Sequence, residues 1–499
     1  MKISATRYQA TRLLINSPVF MIILAFAASC NKFVTIPPTS ARIDQTAVFQ
    51  TDAAAIALMT GVYSNATRSN EGYFPYLSIA TGMYADEITN SGAGNANFAA
   101  LYTNNLTNRY IYFWQEFYNY IYVTNEVVEG IHGPNGLTPA VKARLEGEAK
   151  FTRALFYYYL VQLYGDVPLV TATDYTQSYQ MARTPKAQVY QQIVSDLKDA
   201  ESLLGTDYTA ADLKTVSASG RFRPNKWAAA ALLARVDLAI GNYADAITES
   251  SNVINQSGTY ILDAFSNVFL ATSKEAILQF QPSMNASLNT YDGNVFILVA
   301  IPDFTHPGSM SNTLYNAFED GDNRKTNWVG SYISGATTYY FPYKYKVRQV
   351  STAAVGLTEP DMILRLGEQY LIRAEAYIQS NQIAQGMADI NAVRARARAT
   401  ATVAVPNPLP ALSTSLSQQA ALIALEHEHQ VELFTELGDR LFTLKRLKGV
   451  TNTGISRADE YMPAVTMAKG GTWNTNKQVF PIPLADLTND VFLSQNPGY

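Results

Sequence analysis

Apolar side chains recur at steps of three and four residues through several long stretches of the chain. That spacing puts them on one face of an α-helix, whereas strict alternation would indicate a strand. Thr184 and Pro185 precede one such stretch and form a helix start signal. The clearest runs are Trp114, Tyr118, Ile121, Asn125 and Val128; Leu145, Ala149, Thr152, Phe156, Tyr159 and Leu163; and Val189, Ile193, Leu197, Ala200 and Leu204. The pattern predicts a mainly α-helical protein.

Two stretches predict pairs of helices joined by a tight turn. In the first, a run rich in alanine and leucine starts at Trp227, Gly241-Asn242-Tyr243 forms the turn, and a second helical run returns. Small residues where helices cross, with an aromatic residue after the glycine turn, are typical of a tetratricopeptide unit. The second pair runs from Leu371 through a turn near Asn381 to Val393, and its turn lacks the glycine. Because the pairs are far apart, we expect a scaffold of helix pairs interrupted by long insertions.

Three segments have a different texture, rich in Gly, Ser, Asn, Thr and Tyr. They cover about 257–365, 68–110 and 399–417, and the first contains the aromatic run Thr337-Thr-Tyr-Tyr-Phe-Pro-Tyr. Such clusters predict loops and a few short strands. Loops carried on a rigid scaffold are where binding residues are usually found, so we expect the ligand face there.

The amino terminus has the pattern of a secretory signal. Residues 1–29 include three basic and no acidic side chains, then an apolar run and small residues, and the only Cys of the chain follows as Cys30. The apolar run is shorter than the ~20 residues that a membrane-spanning helix needs. The stretch from Leu24 to Cys30 resembles a bacterial lipobox, which predicts that Cys30 carries lipid and anchors the protein to a membrane. An ordinary signal peptide with a chance Cys is the alternative.

Composition narrows the functional classes. The 499 residues include 37 Lys and Arg against 41 Asp and Glu, which gives a net charge of −4. A near-neutral chain argues against nucleic acid as a partner, since such binding depends on cationic contacts to phosphate. A single Cys excludes an internal disulfide and a zinc site built from Cys. The 32 Tyr residues are an excess, and we expect part of that excess to serve a solvated binding face.

From Cys30 to Tyr499 the chain resembles the SusD/RagB family of outer-membrane lipoproteins from Bacteroidetes. No single motif is specific, but their order after a lipobox is. The motifs are Phe49-Gln-Thr-Asp-Ala-Ala-Ala with Gly61-Val-Tyr; Glu148-Ala-Lys-Phe-Thr-Arg-Ala with Leu163-Tyr-Gly-Asp-Val-Pro-Leu; Gly220-Arg221; Glu368-Gln-Tyr-Leu-Ile-Arg-Ala-Glu-Ala with Ile390-Asn-Ala-Val-Arg-Ala-Arg; Glu428 with Glu432-Leu-Phe-Thr-Glu-Leu-Gly-Asp-Arg and Leu444-Lys-Arg; Phe480-Pro-Ile-Pro; and Gln495-Asn-Pro-Gly-Tyr.

The resemblance implies a SusD-like architecture, in which tetratricopeptide-like helix pairs form a scaffold with long loop-rich insertions and a few short strands. It divides the chain into a lipoprotein signal peptide (1–29), an N-terminal SusD-like region with tetratricopeptide-like helices (30–256), a loop-rich ligand-face insertion (257–365) and a C-terminal SusD/RagB region with the last helix pairs (366–499).

The resemblance also implies a function. Family members sit on the outer face of the outer membrane, cover a SusC-like TonB-dependent transporter and deliver to it a nutrient, usually a glycan and in some branches a peptide. They bind their cargo without catalysis, and we expect no cofactor. The chain departs from the family pattern at His429, where Arg is frequent, and at Thr443, where Asp is frequent, so a probable ion-pair network would be repacked. The segment after Cys30 lacks the acidic residues that often accompany surface export.

Three glutamates in the C-terminal region raise the question of catalysis. Glu428, Glu432 and Glu436 are spaced at steps of four, which would align them on one helical stripe. Glycoside hydrolysis needs two carboxyl groups that flank the scissile bond, and such a stripe could supply them. The structural interpretation, which we favour, is that these acids pair with Arg394, Arg396 or Arg440.

The four histidines do not predict a metal site. His427 and His429 are two residues apart, so on a helix their rings point about 200° apart and cannot share one ion. A zincin would need two His four apart with a Glu beside the first, and that pattern is absent from the sequence. His132 and His306 fall in predicted loops.

The site that we favour is a platform of aromatic and polar side chains on loops. Sugars present flat C–H faces that stack on aromatic rings, and hydroxyl groups that bond to amides and charged side chains. The candidate ligand contacts are Tyr73, Tyr76, Asn97, Phe98, Tyr102, Tyr291, Asn294, Trp328 and Tyr332. Alternatives are a peptide-binding RagB-type lipoprotein, a lipid-anchored glycoside hydrolase and a tetratricopeptide adaptor that binds only protein.

Overall fold

The computed structural model describes residues 45–68, 74–91, 94–109, 113–174, 176, 180–217, 220–282, 289–348 and 358–499. The predicted lipidation site Cys30 and the predicted ligand contact Tyr73 lie outside these residues. Within the described part of the chain, every helix is either too short or too polar to cross a membrane.

Helices dominate the described chain, as the apolar spacing predicts. In chain order they are α1 (Gln45–Val48), α2 (Asp52–Ala66), α3 (Phe74–Tyr84), α4 (Ala96–Tyr102), α5 (Trp114–His132), α6 (Pro139–Tyr164), α7 (Lys186–Leu203), α8 (Lys226–Ala239), α9 (Tyr243–Ile254), α10 (Tyr291–Phe296), α11 (Asn312–Ala317), α12 (Asn323–Trp328), α13 (Leu366–Gln379), α14 (Ile383–Ala397), α15 (Gln418–Glu432), α16 (Asp439–Arg446), α17 (Arg457–Ala468) and α18 (Leu484–Asn489). The strands are β1 (Ala276–Phe280), β2 (Val329–Ser334), β3 (Thr337–Pro342) and β4 (Asp361–Arg365).

The scaffold is an array in which each helix packs on the next. Helices α5, α6, α7, α8 and α9 follow one another, and α13 then packs on α9 and is followed by α14. The insertion between α9 and α13 therefore leaves the array and returns to it without interrupting the packing. Helix α6 is buried on nearly every side, and its aromatic residues form the centre of the core with rings from neighbouring helices.

Local residues account for both predicted helix pairs. The Asn225 side chain accepts a hydrogen bond from the Ala228 amide and begins α8, and Gly241 turns the chain toward α9 with a φ of +77°. In the second pair, Asn381 takes the left-handed conformation with a φ of +59°. Asn tolerates this conformation better than other residues with a side chain, which explains how the α13–α14 turn forms without glycine.

The loop predictions hold only in part. The segment 399–417 contains no helix or strand. The segment 68–110, however, contains α3 and α4, and the insertion 257–365 contains the short helices α10, α11 and α12. Side-chain caps start four of these helices, because Asn95, Thr290, Ser311 and Asp322 each accept a hydrogen bond from a backbone amide in the first turn. Segments rich in polar residues, which predicted loops, thus contain short helices as well.

Two small antiparallel sheets shape the insertion. Strands β1 and β4 pair with each other and are buried throughout, and β4 leads directly into α13. Strands β2 and β3 form a hairpin in which Val329 pairs with Pro342 and Ser334 with Thr337. The hairpin is much more exposed than the first sheet, especially toward its tip. It therefore carries side chains out of the core to the surface of the insertion.

Candidate functional site

One side of the molecule is formed by loops that hydrogen bonds tie to the β2–β3 hairpin. Ile88 and Met310 form an isolated bridge, the Thr89 amide donates to the Ser309 carbonyl at 2.8 Å, and the Met310 amide donates to the Tyr340 carbonyl at 2.7 Å. We call the surface formed by residues 85–91, residues 297–316 and the hairpin the loop face. Its loops are fixed to one another through the backbone, so the side chains that they carry have defined positions.

The register of the hairpin separates its side chains into two faces. Tyr340 lies opposite Ser331, and Thr338 lies opposite Ile333, so these four share one face. Tyr332 and Tyr339 lie opposite each other on the second face, with Phe341 opposite Gly330. A Cβ atom on Gly330 would come within 2.2 Å of the Phe341 ring. Glycine is thus required where the ring crosses the neighbouring strand.

The first hairpin face carries a stack of two tyrosines. The rings of Tyr315, on α11, and Tyr340 are 3.7 Å apart between centroids and inclined by 14°. The Lys325 ammonium, on α12, lies 4.3 Å from the centroid of the Tyr315 ring. A hydrogen bond with Tyr340, together with burial, raises the pKa of the Tyr315 hydroxyl, so this phenol stays neutral at physiological pH. We call the group formed by Tyr315, Tyr340, Ser331, Thr338 and Lys325 the tyrosine platform.

The tyrosine platform combines apolar and polar chemistry at the surface. Both rings are partly exposed, and the Ser331 and Thr338 hydroxyls beside Tyr340 are exposed. Rings can stack on a flat apolar surface, while hydroxyls and an ammonium donate hydrogen bonds to its polar rim. Beneath the platform lies a buried cluster that includes Leu314, Phe318 and Trp328, and it holds α11, α12 and the hairpin together.

The second hairpin face is more enclosed. Tyr332 and Tyr339 are partly buried with Tyr343 against a small cluster of Ile297, Leu298 and Phe341. The Lys346 ammonium lies 4.0 Å from the Tyr343 ring centroid and donates hydrogen bonds to the carbonyls of Asn327 and Tyr343. Burial lowers the pKa of Lys346 to about 8. The apolar loop residues Val299, Ile301 and Phe304, which follow this cluster, are each more than half exposed.

The predicted ligand contacts fall into two groups. Asn97, Tyr102, Tyr291, Asn294 and Tyr332 are partly exposed. Tyr291 and Asn294 lie on α10, which packs on α3 and leads into the cluster that supports the second hairpin face. Asn97 and Tyr102 lie on α4, which also packs on α3. The Lys469 ammonium lies 5.3 Å from the Tyr102 ring centroid, and burial raises the Tyr102 pKa.

Three predicted contacts have to be corrected. Trp328 has no exposed surface, Tyr76 is 3% exposed and Phe98 is 6% exposed. Trp328 is packed among Phe265, Phe269 and Phe434, and the rings of Tyr76 and Phe98 stack on each other with centroids 5.7 Å apart. These rings therefore present almost no face to a ligand, because they are packed against other core side chains. The tyrosine excess has a similar explanation in part, since Tyr84, Tyr157, Tyr159, Tyr164 and Tyr260 are also buried in the core.

Sequence reasoning missed the residues that form the tyrosine platform. The run Thr337-Thr-Tyr-Tyr-Phe-Pro-Tyr was recognised only as loop or strand texture. The available signal was the pair of successive tyrosines, since successive strand residues point to opposite faces and the two rings must therefore serve different surfaces of the hairpin. The partner ring, Tyr315, comes from α11, and no local pattern joins it to Tyr340.

The three glutamates of the C-terminal region lie in a buried ion-pair network. Glu428 accepts from Arg324 at 2.5 Å and from Arg394 at 3.2 Å, and Glu432 accepts from Arg365 at 2.6 Å, from Arg324 at 3.0 Å and from Arg396. The structural interpretation is thus confirmed for Arg394 and Arg396. It is wrong for Arg440, which instead pairs with Asp86 at 2.9 Å and with Glu426 at 3.2 Å.

Helix geometry also differs from the prediction at Glu436. Helix α15 ends at Glu432, and the turn that follows contains Thr435 and Leu437 with positive φ angles, so Glu436 is not on the helical stripe. It bonds instead to Arg365 at 2.7 Å and to the buried Lys344 ammonium. Burial lowers the pKa of Lys344 to about 8, against the opposing effect of Glu436.

The network lacks the properties of a hydrolytic site. Glu428 and Glu432 have no exposed surface, so a substrate cannot reach either carboxylate in this structure. Burial opposes ionisation of Glu432, but the guanidinium groups of Arg396, Arg365 and Arg324 outweigh it and hold its pKa well below the usual range. A general acid needs the opposite shift, toward neutral pH. The geometry identifies the glutamates as structural.

The histidines likewise have separate partners. His427 lies 3.3 Å from Glu319 and the buried His429 lies 3.0 Å from Asp439. Burial opposes protonation of His429, but the Asp439 carboxylate outweighs it and raises the His429 pKa. At the second departure from the family pattern, the Thr443 hydroxyl accepts a hydrogen bond from Arg446 at 3.2 Å. Among the described residues, no group of three or more His, Cys, Asp or Glu side chains is arranged to hold a metal ion.

Comparison with known proteins gives consistent matches. A family model described as "Starch-binding associating with outer membrane" matches residues 40–238, and the SusD family model matches residues 330–499. SusD-like protein P25 from Formosa agariphila is 28% identical over 157 residues, which are 31% of this chain and 28% of that protein. The chain thus matches less than a third of the length of this relative.

Solved structures share the fold over almost the whole chain. A structure described as a laminarin binding SusD-like protein has a TM-score of 0.71 at 22% identity, and the match covers 90% of this chain and 100% of that one. Surface glycan-binding protein A from Bacteroides uniformis has a TM-score of 0.72 at 18% identity, over 89% of this chain and 99% of that one. With the two family models, which together match most of its length, these likenesses show that the chain belongs to the SusD/RagB family.

Proposed function

We propose that this protein is a surface lipoprotein that binds a glycan on its loop face and passes it to a SusC-like TonB-dependent transporter. The observation that carries the proposal is the tyrosine platform, where stacked rings and exposed hydroxyls stand together on a hairpin fixed to the core. Sugars need this combination, because each pyranose ring has flat C–H faces and a rim of hydroxyl groups. The laminarin-binding and glycan-binding names of two structural neighbours support it.

In the proposed complex, a sugar ring rests against Tyr340, which Tyr315 supports from its other face, and the sugar hydroxyl groups bond to Ser331 and Thr338. The loop face would extend this contact toward Tyr291 and Asn294 on α10 and toward Tyr332 on the second hairpin face. The helix array, which carries none of these side chains, is free to form the rigid side that docks the transporter. The lipid on Cys30 would hold the protein in the outer membrane, with the loop face directed outward.

The test is equilibrium binding of a broad glycan panel to the wild-type protein and to two tyrosine variants. We expect Tyr340→Ala to weaken glycan binding about tenfold, since stacking on an aromatic ring contributes about 0.5–1.5 kcal/mol beyond the burial of its surface. Tyr122→Ala is the matched control, because Tyr122 is 46% exposed on α5 in the scaffold. Melting temperatures of both variants show that each remains folded.

Two results would contradict the proposal. Equal glycan affinity of Tyr340→Ala and wild type would show that the tyrosine platform is not part of the glycan-binding site. Binding of peptides but of no glycan would instead assign the protein to the peptide-binding branch.

A further inference from the structure

Lys325 is a cation at the tyrosine platform that has no anionic partner. Its ammonium lies 4.3 Å from the Tyr315 ring centroid, and among the described residues no carboxylate lies within 4.0 Å of it. A tyrosine ring attracts a nearby cation but leaves the three N–H donors of an ammonium unused. Lys325 is therefore held in one place with its donors available to a ligand.

Two cations near Lys325 differ from it, because each of them has a carboxylate partner. Arg324, the preceding residue, is buried and bonds to Asp322 at 2.8 Å and to Glu428 at 2.5 Å. Lys344, beside the Trp328 and Phe434 rings, is buried and bonds to Glu436. Both complete the interior network, whereas Lys325 is partly exposed and points to the platform. Its charge is thus neutralised neither by the core nor by a surface pair.

A second lysine lies close to the first. The Lys346 ammonium donates to the carbonyl of Asn327, two residues after Lys325, and lies 4.0 Å from the Tyr343 ring centroid. Its hydrogen bonds go to backbone carbonyls, and no carboxylate is within 4.0 Å of it in the described chain. Each of the two ammonium groups thus lies beside a tyrosine ring, Lys325 beside Tyr315 and Lys346 beside Tyr343.

The acids of this region leave Lys325 unpaired. Asp303, in the loop 297–316, bonds to His306 at 3.1 Å, and His306 in turn lies 2.6 Å from an Arg348 nitrogen. Asp320 is exposed before α12 and forms no ion pair among the described residues. The Glu359 carboxylate accepts hydrogen bonds from the Lys346 amide at 2.9 and 3.0 Å and attracts the Lys346 ammonium. The unpaired positive charge at the platform is therefore that of Lys325, although the whole chain has a net charge of −4.

We propose that the tyrosine platform selects an acidic oligosaccharide. One of its sugar rings rests on Tyr340, and the carboxylate or sulfate group of a neighbouring sugar bonds to Lys325, on the opposite side of the Tyr315 ring. This inference rests on the proposed glycan-binding function and specifies its substrate class. A charge-assisted hydrogen bond is stronger than a neutral one, so a sugar with an anionic group gains a contact that a neutral sugar cannot make.

The experiment compares acidic sugars with neutral sugars of the same skeleton. Equilibrium titrations use an oligogalacturonate, its fully methyl-esterified form, a sulfated carrageenan oligosaccharide and its desulfated form. The proteins are wild type, Lys325→Gln, Lys325→Arg and, as a matched control for the loss of a surface charge, Lys142→Gln on α6. Each titration is repeated at about 20 mM and about 200 mM salt, because screening weakens exposed ionic contacts.

We expect wild type to bind at least one acidic sugar about tenfold more tightly than its neutral form, with affinity falling several-fold at the higher salt. Lys325→Gln should abolish this preference, so that it binds the acidic and neutral forms of each sugar with equal affinity, and Lys325→Arg should retain it. Preference for the oligogalacturonate would identify a carboxylate as the anion, and preference for the carrageenan fragment would identify a sulfate.

Other outcomes separate the two proposals. Equal affinity of wild type for acidic and neutral forms, or an acidic preference that survives in Lys325→Gln, would overturn the acidic class but leave glycan binding intact. Failure of wild type to bind any glycan, acidic or neutral, would overturn the proposed function as well.

Discussion

Replacing Glu432 with Gln tests whether the buried network is structural or catalytic. Glu432 has no exposed surface and bonds to Arg365 at 2.6 Å, to Arg324 at 3.0 Å and to Arg396. In the wider network five cations meet five carboxylates, of which Glu436 is partly exposed, and Arg394 also pairs with the partly exposed Glu319. The cations are Arg324, Lys344, Arg365, Arg394 and Arg396, and the carboxylates are Glu275, Asp322, Glu428, Glu432 and Glu436. In the variant, the guanidinium groups of Arg324, Arg365 and Arg396 face a neutral amide in place of a shared carboxylate.

The loss of stability expected for Glu432→Gln follows from the burial of its carboxylate. Removing one partner of a buried ion pair costs about 3–5 kcal/mol, because the remaining charge stays desolvated without its counter-charge. Unfolding entropy of about 2.1 cal/mol/K per residue, over the 499 residues of the chain, gives about 1 kcal/mol/K. The melting temperature of Glu432→Gln should therefore fall by about 3–5 °C.

The assay is thermal unfolding of the purified protein, measured by calorimetry with Asp199→Asn as the control. Asp199 exchanges the same chemical groups in a surface pair, since it lies 2.8 Å from Lys150 and its side chain is 51% exposed. Exposed pairs contribute less than about 1 kcal/mol, so the control should melt within about 1 °C of wild type. An unchanged melting temperature for Glu432→Gln would refute the structural role. Glycan hydrolysis by wild type that the variant loses while still folded would establish a catalytic one.

Three further changes have defined outcomes. Burial raises the pKa of Asp361 to about 7, so the folded state retains a proton that the unfolded state has released, and wild type loses stability as the pH rises from about 4 to about 7. Asp361→Asn should consequently gain about 3 kcal/mol relative to wild type between pH 5 and pH 8 in denaturant titrations, and a parallel pH dependence would contradict this. Gly330→Ala should destabilise the protein by about 1–3 kcal/mol and weaken glycan binding, because the new Cβ atom would lie 2.2 Å from the Phe341 ring. A glycan affinity and a melting temperature that both equal those of wild type would show that the ring has room to move. Cys30→Ala should release the protein from the membrane fraction and remove the lipid seen by mass spectrometry of the wild type, whereas a wild-type protein secreted without lipid would disprove the anchor.

The scaffold could be predicted because its signal is local and repeated. Apolar residues at helical spacing mark α5, α6 and α7, and the turn residues Gly241 and Asn381 mark both helix pairs. The short helices α10, α11 and α12 gave no such signal, since six residues are fewer than two helical turns and show no periodicity. Their starts depend on single capping side chains such as Ser311 and Asp322, which also occur in ordinary turns.

The candidate site was harder to predict because it depends on long-range contacts. Tyr315 and Tyr340 meet only when α11 packs against the hairpin, and Lys325 reaches them from a third element. Composition indicated aromatic residues in the insertion but could not separate the partly exposed ring of Tyr332 from the buried ring of Trp328. The ion pairs of Glu432 were partly foreseeable, yet its partners Arg324 and Arg365 lie in segments that no helical spacing connects to it.

The central claim, that this protein binds a glycan at the tyrosine platform without altering it, is tested most directly by mass spectrometry of glycans recovered after equilibrium binding to wild type and to Tyr340→Ala. We predict that wild type retains glycan of unchanged length after prolonged incubation and that Tyr340→Ala retains about tenfold less. Shortened glycan products, or equal retention by the two proteins, would contradict the claim.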